Sequence, residues 1–165
     1  DLIVDSKGNL YFTDPPYGLA GGLEGPNSEL GFCGVFKVDK DKKVKLLNKN
    51  LLRPNGIALS KDETILFVAD TEQDAIFKLR LENKQGELKE ELFLRVPHPD
   101  GIKMDKLGNL WVTSSKGVVV FDEQGKEVYV LSLPKQPANC AFGGENDNEL
   151  LVTARDCVYL YKLKW

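Results

Sequence analysis

Four times along the chain, two short apolar runs return on either side of a polar turn. DLIVDSKGNLYFTD (Asp1 to Asp14) carries the pattern first, GIALSKDETILFVAD (Gly56 to Asp70) second and GIKMDKLGNLWVTS (Gly101 to Ser114) third. CAFGGENDNELLVTA (Cys140 to Ala154) is a weaker fourth copy. Side chains in a strand alternate between two faces, so such runs around a turn rich in Gly, Asn, Asp and Lys specify a β-hairpin. Further strand-like runs follow each hairpin. They are GVFKVD and KVKLLN, then AIFKLRL and LKEELFLRV around an NKQGE turn, then GVVVFD and EVYVLSL, and finally CVYLYKLKW. No stretch of helical periodicity competes with them. The later copies are spaced by 45 and 39 residues, and the first is lengthened by an insertion. Four strands in about 40 to 50 residues make one blade of a β-propeller. The predicted fold is all-β, a single propeller unit over residues 1–165 built of four-stranded antiparallel blades. The blades fall at about 1–50, 51–96, 97–134 and 135–165, the last lacking a strand.

Propellers close rings of about four to eight blades, and closure removes exposed edges. Three blades and three strands of a fourth leave an edge at each end. The chain opens on Asp1 inside an apolar run, and its single methionine is the internal Met104. Both features predict a piece of a larger ring, with self-association through the exposed blade edges. Composition narrows the partners. The 22 Lys and Arg residues are interspersed with 25 Asp and Glu for a net charge of -3, so no basic stripe faces a nucleic acid. No apolar run approaches the ~20 residues of a membrane span, so no membrane partner is expected. Localisation, cytoplasmic or secreted, stays open. Cys33, Cys140 and Cys157 are odd in number and lack CxxC spacing, which argues against a disulfide framework or a thiolate metal site.

Strand direction alternates within a blade. The residue before the first strand and the loop between the second and third strands therefore share one face, the top. Asn55 in RPNG, Asp100 in HPDG and Asn139 in PANC all occupy that lead-in position, each closely following a proline. Amide and carboxylate oxygens suit a hard divalent cation such as Ca²⁺ or Mg²⁺. The competing reading is that N-G and D-G are ordinary turn dipeptides. Recurrence in register favours the site. The same face carries the long Gly- and Pro-rich loop from Asp14 to Cys33, whose Asp14, Tyr17 and Glu24 are candidates for a substrate contact or lid. A loop insertion without a role is the other reading. His98, the only histidine, lies two residues before Asp100. It reads equally as a base candidate and as a solvated loop histidine, and is not assigned the chemistry. Ser114 and Ser115 have no visible relay, and neither a G-x-S-x-G elbow nor a dinucleotide or Walker fingerprint occurs.

YFTDPPYGL, RPNGIALSKDETILFVADT, PDGIKMDKLGNLWVTS, GVVVFD and PANCAFGG together resemble the SMP-30/gluconolactonase/LRE-like family, from Asp1 to about Tyr161. The resemblance implies a six-bladed propeller with one divalent metal in its central channel, of which this chain matches about the C-terminal four blades. It implies a metal-dependent hydrolase of sugar lactones or related esters, with a small-molecule lactone or ester as partner. Matched by motif, Asn55 corresponds to a metal ligand, and Asp100 to a metal ligand that is also the catalytic base. The family's third protein ligand, a glutamate of the first blade, is not in this sequence. Neither is a substrate-contacting asparagine that stands immediately before the position of Asp1. Asn139 has no ligand role to carry over. Two protein oxygens make a weak Ca²⁺ site, so the chain alone is expected to bind metal poorly and to hydrolyse lactones slowly or not at all. The alternatives are a non-catalytic propeller used for binding or assembly, and an inactive piece of an enzyme.

Overall fold

Buried aspartates tie off two of the four hairpins. In the first, the Asp5 carboxylate accepts from the N–H groups of Lys7 and Asn9, from the Asn9 amide at 2.7 Å and from the Tyr11 hydroxyl at 3.2 Å. Asp105 repeats this with Leu107, Asn109 and the Trp111 indole N–H at 2.9 Å. D-x-x-G-N-x-aromatic is therefore a self-closing turn. Its acid satisfies the orphan donors of the loop and the polar tip of a core ring. Burial pushes the Asp5 carboxyl up, but its hydrogen bonds outweigh that and hold it below the usual range.

A computed structural model of the chain describes residues 1–82 and 86–164. The first three residues of the NKQGE turn and the final Trp165 lie outside the described residues. Strands β1 (Leu2–Val4), β2 (Leu10–Asp14), β3 (Gly34–Val38) and β4 (Val44–Asn48) form the first antiparallel sheet in sequence order. β5 (Pro54–Leu59), β6 (Ile65–Asp70), β7 (Ala75–Arg80) and β8 (Glu90–Arg95) form the second. β9 (Ile102–Met104), β10 (Leu110–Ser114), β11 (Gly117–Phe121) and β12 (Glu127–Leu131) form the third. β13 (Asn139–Gly143), β14 (Glu149–Ala154) and β15 (Cys157–Lys162) form a three-stranded fourth. Each sheet is a meander, and consecutive first strands lie beside one another along the series. This is the blade arrangement of a β-propeller. No helix among the described residues is long and apolar enough to cross a membrane.

The cores lie between blades. Tyr11, Val35 and Leu47 of the first blade meet Ile57, Leu66, Val68 and Phe77 of the second. Phe67, Ala69 and Ile76, the alternate residues of the second blade, meet Ile102, Leu110, Val112 and Phe121 of the third. Trp111, Val118 and Val120 turn to Cys140, Leu150 and Val152 of the fourth. Both faces of a middle blade are buried, so its strands read as continuous apolar runs (ILFVAD, GVVVF). The outer face of each terminal blade stays open, and Leu2, Val4 and Val44 at one end and Leu151, Val158 and Leu160 at the other are exposed.

Two lead-in residues expected just ahead of their strands are instead part of them, Asn55 in β5 and Asn139 in β13. β5 pairs Pro54 with Asp70 and Ile57 with Val68, so one extra residue bulges out at Asn55–Gly56. A bulge re-aims a side chain that regular pleating would commit to one face.

Candidate functional site

Asp70, at the end of β6, organises the top of the second blade. Its fully buried carboxylate accepts from the N–H groups of Leu52, Arg53, Glu72 and Gln73 and from the Gln73 amide. The lead-in to β5 and the β6–β7 loop are thereby one unit, with Asn55 at its inner end. The Asn55 amide donates to the Thr71 hydroxyl at 3.2 Å, and Thr71 donates to the Pro99 carbonyl at 2.7 Å. Pro99 precedes Asp100, so this pair of bonds joins the second blade's lead-in to the third's.

Backbone contact is closer still. The Gly56 N–H donates to the Asp100 carbonyl and the Gly101 N–H to the Ala138 carbonyl, both at 2.9 Å. A Cβ on Gly56 would stand 2.2 Å from the Asp100 carbonyl oxygen, and one on Gly101 would stand 2.2 Å from Asn139 Oδ1. Neither glycine has a positive φ. The N-G and D-G dipeptides are therefore not turns. Their glycines are the surfaces on which the next blade's lead-in rests.

Asn55 and Asp100 consequently sit together at the top of the channel-side strands. Asp100 is half-buried, and desolvation pushes its carboxyl above the usual aspartate range. The neighbouring Asn55 amide and the terminal amino group partly offset this. Asn139 stands in line on the far side of Gly101, with its Nδ2 3.4 Å from Asp1 Oδ2. Deeper along β9, Lys103 makes a 3.1 Å ion pair with Asp1, and burial pulls its amine below the usual lysine range. A cavity of about 340 Å³ lies here, lined by Asp1, Leu2, Lys103, Asn139 and Cys140 among others. Burial raises the Cys140 thiol to about 12, so it is inert at neutral pH.

The remaining candidates are placed differently. Asp14 ends β2 on the top face and is exposed. Tyr17 lies in a 3-10 turn (Pro16–Gly18), exposed, its ring 5.9 Å from the Arg53 guanidinium, which also pairs with Glu72 at 3.3 Å. Tyr17 thus leans the long loop toward the lead-in that carries Asn55. Glu24 ends a second 3-10 turn (Gly22–Glu24) and is exposed. The loop folds around a cavity of about 550 Å³ lined by Asp14, Pro16, Leu19, Leu23 and Phe32 with others. His98 is turned away from the pair: its ring is exposed and contacts Asp74 at 3.3 Å, and its backbone N–H donates to the same carboxylate at 2.7 Å. Among the described residues no group of three or more His, Cys, Asp or Glu could hold a metal ion together.

Sequence reasoning missed the hydroxyls. Thr13 donates to the Asn55 carbonyl at 2.5 Å and Thr113 to the Ala138 carbonyl at 2.9 Å. With Thr71, each of the first three blades therefore sends a hydroxyl to the next blade's lead-in. Thr13 and Thr113 occupy the same place in LYFTD and LWVTS, a repeat signal that was there to be read. The second blade has Ala69 at that place and supplies Thr71 two residues later.

Antiparallel blades whose first strands lie side by side, with Asn55 and Asp100 together at one end of them, define a β-propeller. The chain belongs to the SMP-30/gluconolactonase/LRE-like family, whose profile matches residues 1–156. It is 33% identical to a gluconolactonase of Zymomonas mobilis over 99% of its own length and 50% of that protein's. It is 31% identical to a lactonase of Staphylococcus epidermidis over 93% of this chain and 44% of that one. Among solved structures, a gluconolactonase from Xanthomonas campestris superposes with a TM-score of 0.86 at 32% identity, covering 99% of this chain and 56% of that one. A calcium-binding regucalcin from Agrobacterium tumefaciens superposes at 0.74 with 25% identity, covering 93% and 52%. The chain thus spans about half the length of the relatives it matches.

Proposed function

We propose that this chain carries part of the active site of a lactone hydrolase, acting on sugar lactones or related esters. The observation that carries the reading is the half-buried Asp100 carboxylate beside the Asn55 amide at the channel mouth, in a chain whose relatives are lactonases. One anionic and one neutral oxygen are hard donors and fit a divalent cation, supplying part of the about six to eight oxygens that Ca²⁺ takes. Asn55 and Asp100 would hold the ion, with Ca²⁺ ahead of Mg²⁺, Zn²⁺ or Mn²⁺. The calcium-binding neighbour supports that order. When bound, the ion supplies Lewis-acid polarisation of the lactone carbonyl.

The rest of the chemistry belongs to the chain. Asp100 accepts a proton from water as the water oxygen bonds to the carbonyl carbon. The ring C–O bond then breaks, and the proton passes from Asp100 to the departing ring oxygen, giving the open hydroxy acid. A base with a raised pKa is the stronger proton acceptor, and desolvation raises that of Asp100. Tyr17 and the loop around it cover the approach on the first-blade side and limit water there. Asp14 and Glu24 lie on the same loop as substrate contacts.

A second reading follows from the donor count. With two oxygens and no metal-holding cluster among the described residues, the chain also fits a non-catalytic propeller used for binding. A lactone panel with added divalent ions, run on the chain and on Asp100→Ala, separates the two. Hydrolysis that falls at least a hundredfold in Asp100→Ala supports the enzyme. Equal activity in both proteins would sink the assigned base, and no metal-stimulated activity in either fits both the binding module and an inactive piece of the enzyme.

A further inference from the structure

The turns on the bottom face, opposite the lead-ins, are tied to one another from blade to blade. Ser6 of the β1–β2 turn donates from its N–H and its hydroxyl to the Glu63 carboxylate of the β5–β6 turn, at 2.7 and 2.6 Å. Lys106 of the β9–β10 turn donates to the Asn146 carbonyl between β13 and β14 at 3.0 Å. Ser6, Lys61 and Lys106 hold one repeat position, each following the residue that opens its turn (Asp5, Ser60 and Asp105). Two of the three therefore bond forward to the next blade. Lys61, the third, lines a cleft between the second and third blades.

That cleft has a volume of about 440 Å³, the size of a small-molecule site. Ile65, Phe67 and Met104 give it an apolar wall, and Lys78 of β7 brings a second ammonium group. Lys78 pairs across the strands with Phe67, on the face where Ile76 is wholly buried toward the third blade. Its ammonium lies 3.7 Å from the Phe93 ring centroid and 5.6 Å from that of Phe67. Burial, with the Arg80 charge adding to it, pulls the amine below the usual lysine range. The acid opposite it on β8, Glu91, accepts from Arg80 at 3.2 Å. Neither Lys61 nor Lys78 has a hydrogen-bond or ion-pair partner among the described residues. The two acids at the cleft are engaged locally: Asp62 accepts from the Ser60 and Thr64 hydroxyls, and the Glu123 carboxylate packs on Gly108. A lysine over a ring is not by itself a receptor, since Lys37 covers Tyr11 at the equivalent place of the first blade. Lys78 differs in the cleft beside its ammonium and in the second lysine that lines it.

We propose that this bottom-face cleft binds a small organic carboxylate with a compact apolar body, its charge taken by Lys78 and Lys61 and its body by Ile65, Phe67 and Met104. A cation would meet two ammonium groups and a ring pair that Lys78 already covers. A bare inorganic anion would leave the apolar wall unused. A partly dehydrated ammonium attracts an anion more strongly than one in open water. The cleft is separate from Asn55 and Asp100: Asp100 leads into β9 and Met104 ends it.

Met104 is the only methionine of the chain, so methyl-¹³C labelling of methionine places a single NMR signal on the cleft wall. Phenylacetate is the probe, and phenethyl alcohol carries the same ring without the charge. Phenylacetate should shift the Met104 signal saturably and bind about tenfold or more tightly than the alcohol. Lys78→Gln should weaken phenylacetate about tenfold or more, and the exposed Lys61→Gln less, while Lys37→Gln leaves it unchanged. A Met104 signal that phenylacetate does not move overturns the proposal, and so does equal binding of the acid and the alcohol. Equal phenylacetate affinity in a folded Lys78→Gln and in the unaltered chain overturns it as well. The comparison of acid with alcohol needs no variant, and it decides the question even if Lys78→Gln does not fold.

Discussion

At the scale of single residues, two aspartates of this chain are used in opposite ways. Asp5 is buried among donors that hold its carboxyl below the usual range, so it adds stability above the pKa of an unfolded aspartate. That contribution is lost as pH falls through its folded value. Asp100 is half-buried with too few donors, and desolvation pushes its carboxyl up. The sign reverses. The folded chain binds the Asp100 proton more tightly than the unfolded chain does, so stability falls as pH rises from the ordinary aspartate range to the raised value. Asp100 therefore costs stability at neutral pH. Asp100→Asn cannot ionise, and thermal unfolding should show a higher Tm than the unaltered chain at pH 7. That gain should disappear below about pH 3, where both chains carry a neutral group. A Tm for Asp100→Asn that is lower at pH 7 would contradict the desolvation argument.

At the scale of elements, the glycine after each lead-in residue decides how closely blades approach. At Gly56 the obstruction to a Cβ is backbone, the Asp100 carbonyl at 2.2 Å and the Ile102 nitrogen at 2.7 Å, and it cannot swing aside. Gly143 in β13 has nothing within 4 Å and ordinary φ. Urea unfolding should therefore find Gly56→Ala destabilised by about 1–3 kcal/mol or more, and Gly143→Ala neutral or slightly stabilised. Equal stability of the two variants would show that the blades are not held at that distance. The hairpins were legible because period-two alternation and turn composition are local, and each strand appears within a few residues of its expected place. The spacing of the copies also placed Asn55 and Asp100 on one face. What could not be read is non-local. The bulge at Asn55–Gly56 is a property of pairing with β6, and the Thr71 bond reaches Asn55 across 16 residues and Pro99 across 28. For that reason neither the bulge nor the Thr71 hydroxyl bonds can be read from the sequence, where the turn reading of N-G stood only as the competing one.

At the scale of the whole molecule, the alternation that buries both faces of the middle blades leaves one apolar face at each end. Across the first sheet, Leu2, Phe12, Phe36 and Leu46 stand in one cross-strand row, and Val4, Leu10, Val38 and Val44 in another. Phe12 and Phe36 stack with centroids 5.0 Å apart. Across the last sheet, Ala141, Leu151 and Leu160 form a row, with Val158 beside Thr153 on the same face. Their counterparts in the middle blades fill the inter-blade cores, so these faces have the shape and chemistry of packing surfaces. Burying a residue such as Leu or Val is worth about 1.5–3 kcal/mol when complete. Several such side chains on one flat face therefore favour association strongly once another such face is available. This chain on its own should accordingly bind an apolar dye such as ANS and sediment with a weight-average mass that grows with concentration. Leu151→Lys together with Leu160→Lys places two charges on the last face, 43% and 56% exposed at present, where folding tolerates them and packing does not. The double variant should lower both dye binding and association while keeping the Tm, and Glu123→Lys, in the exposed turn between β11 and β12, should leave association unchanged. Monodisperse behaviour of the unaltered chain at high concentration, with no dye bound, would mean that the terminal faces are not packing surfaces.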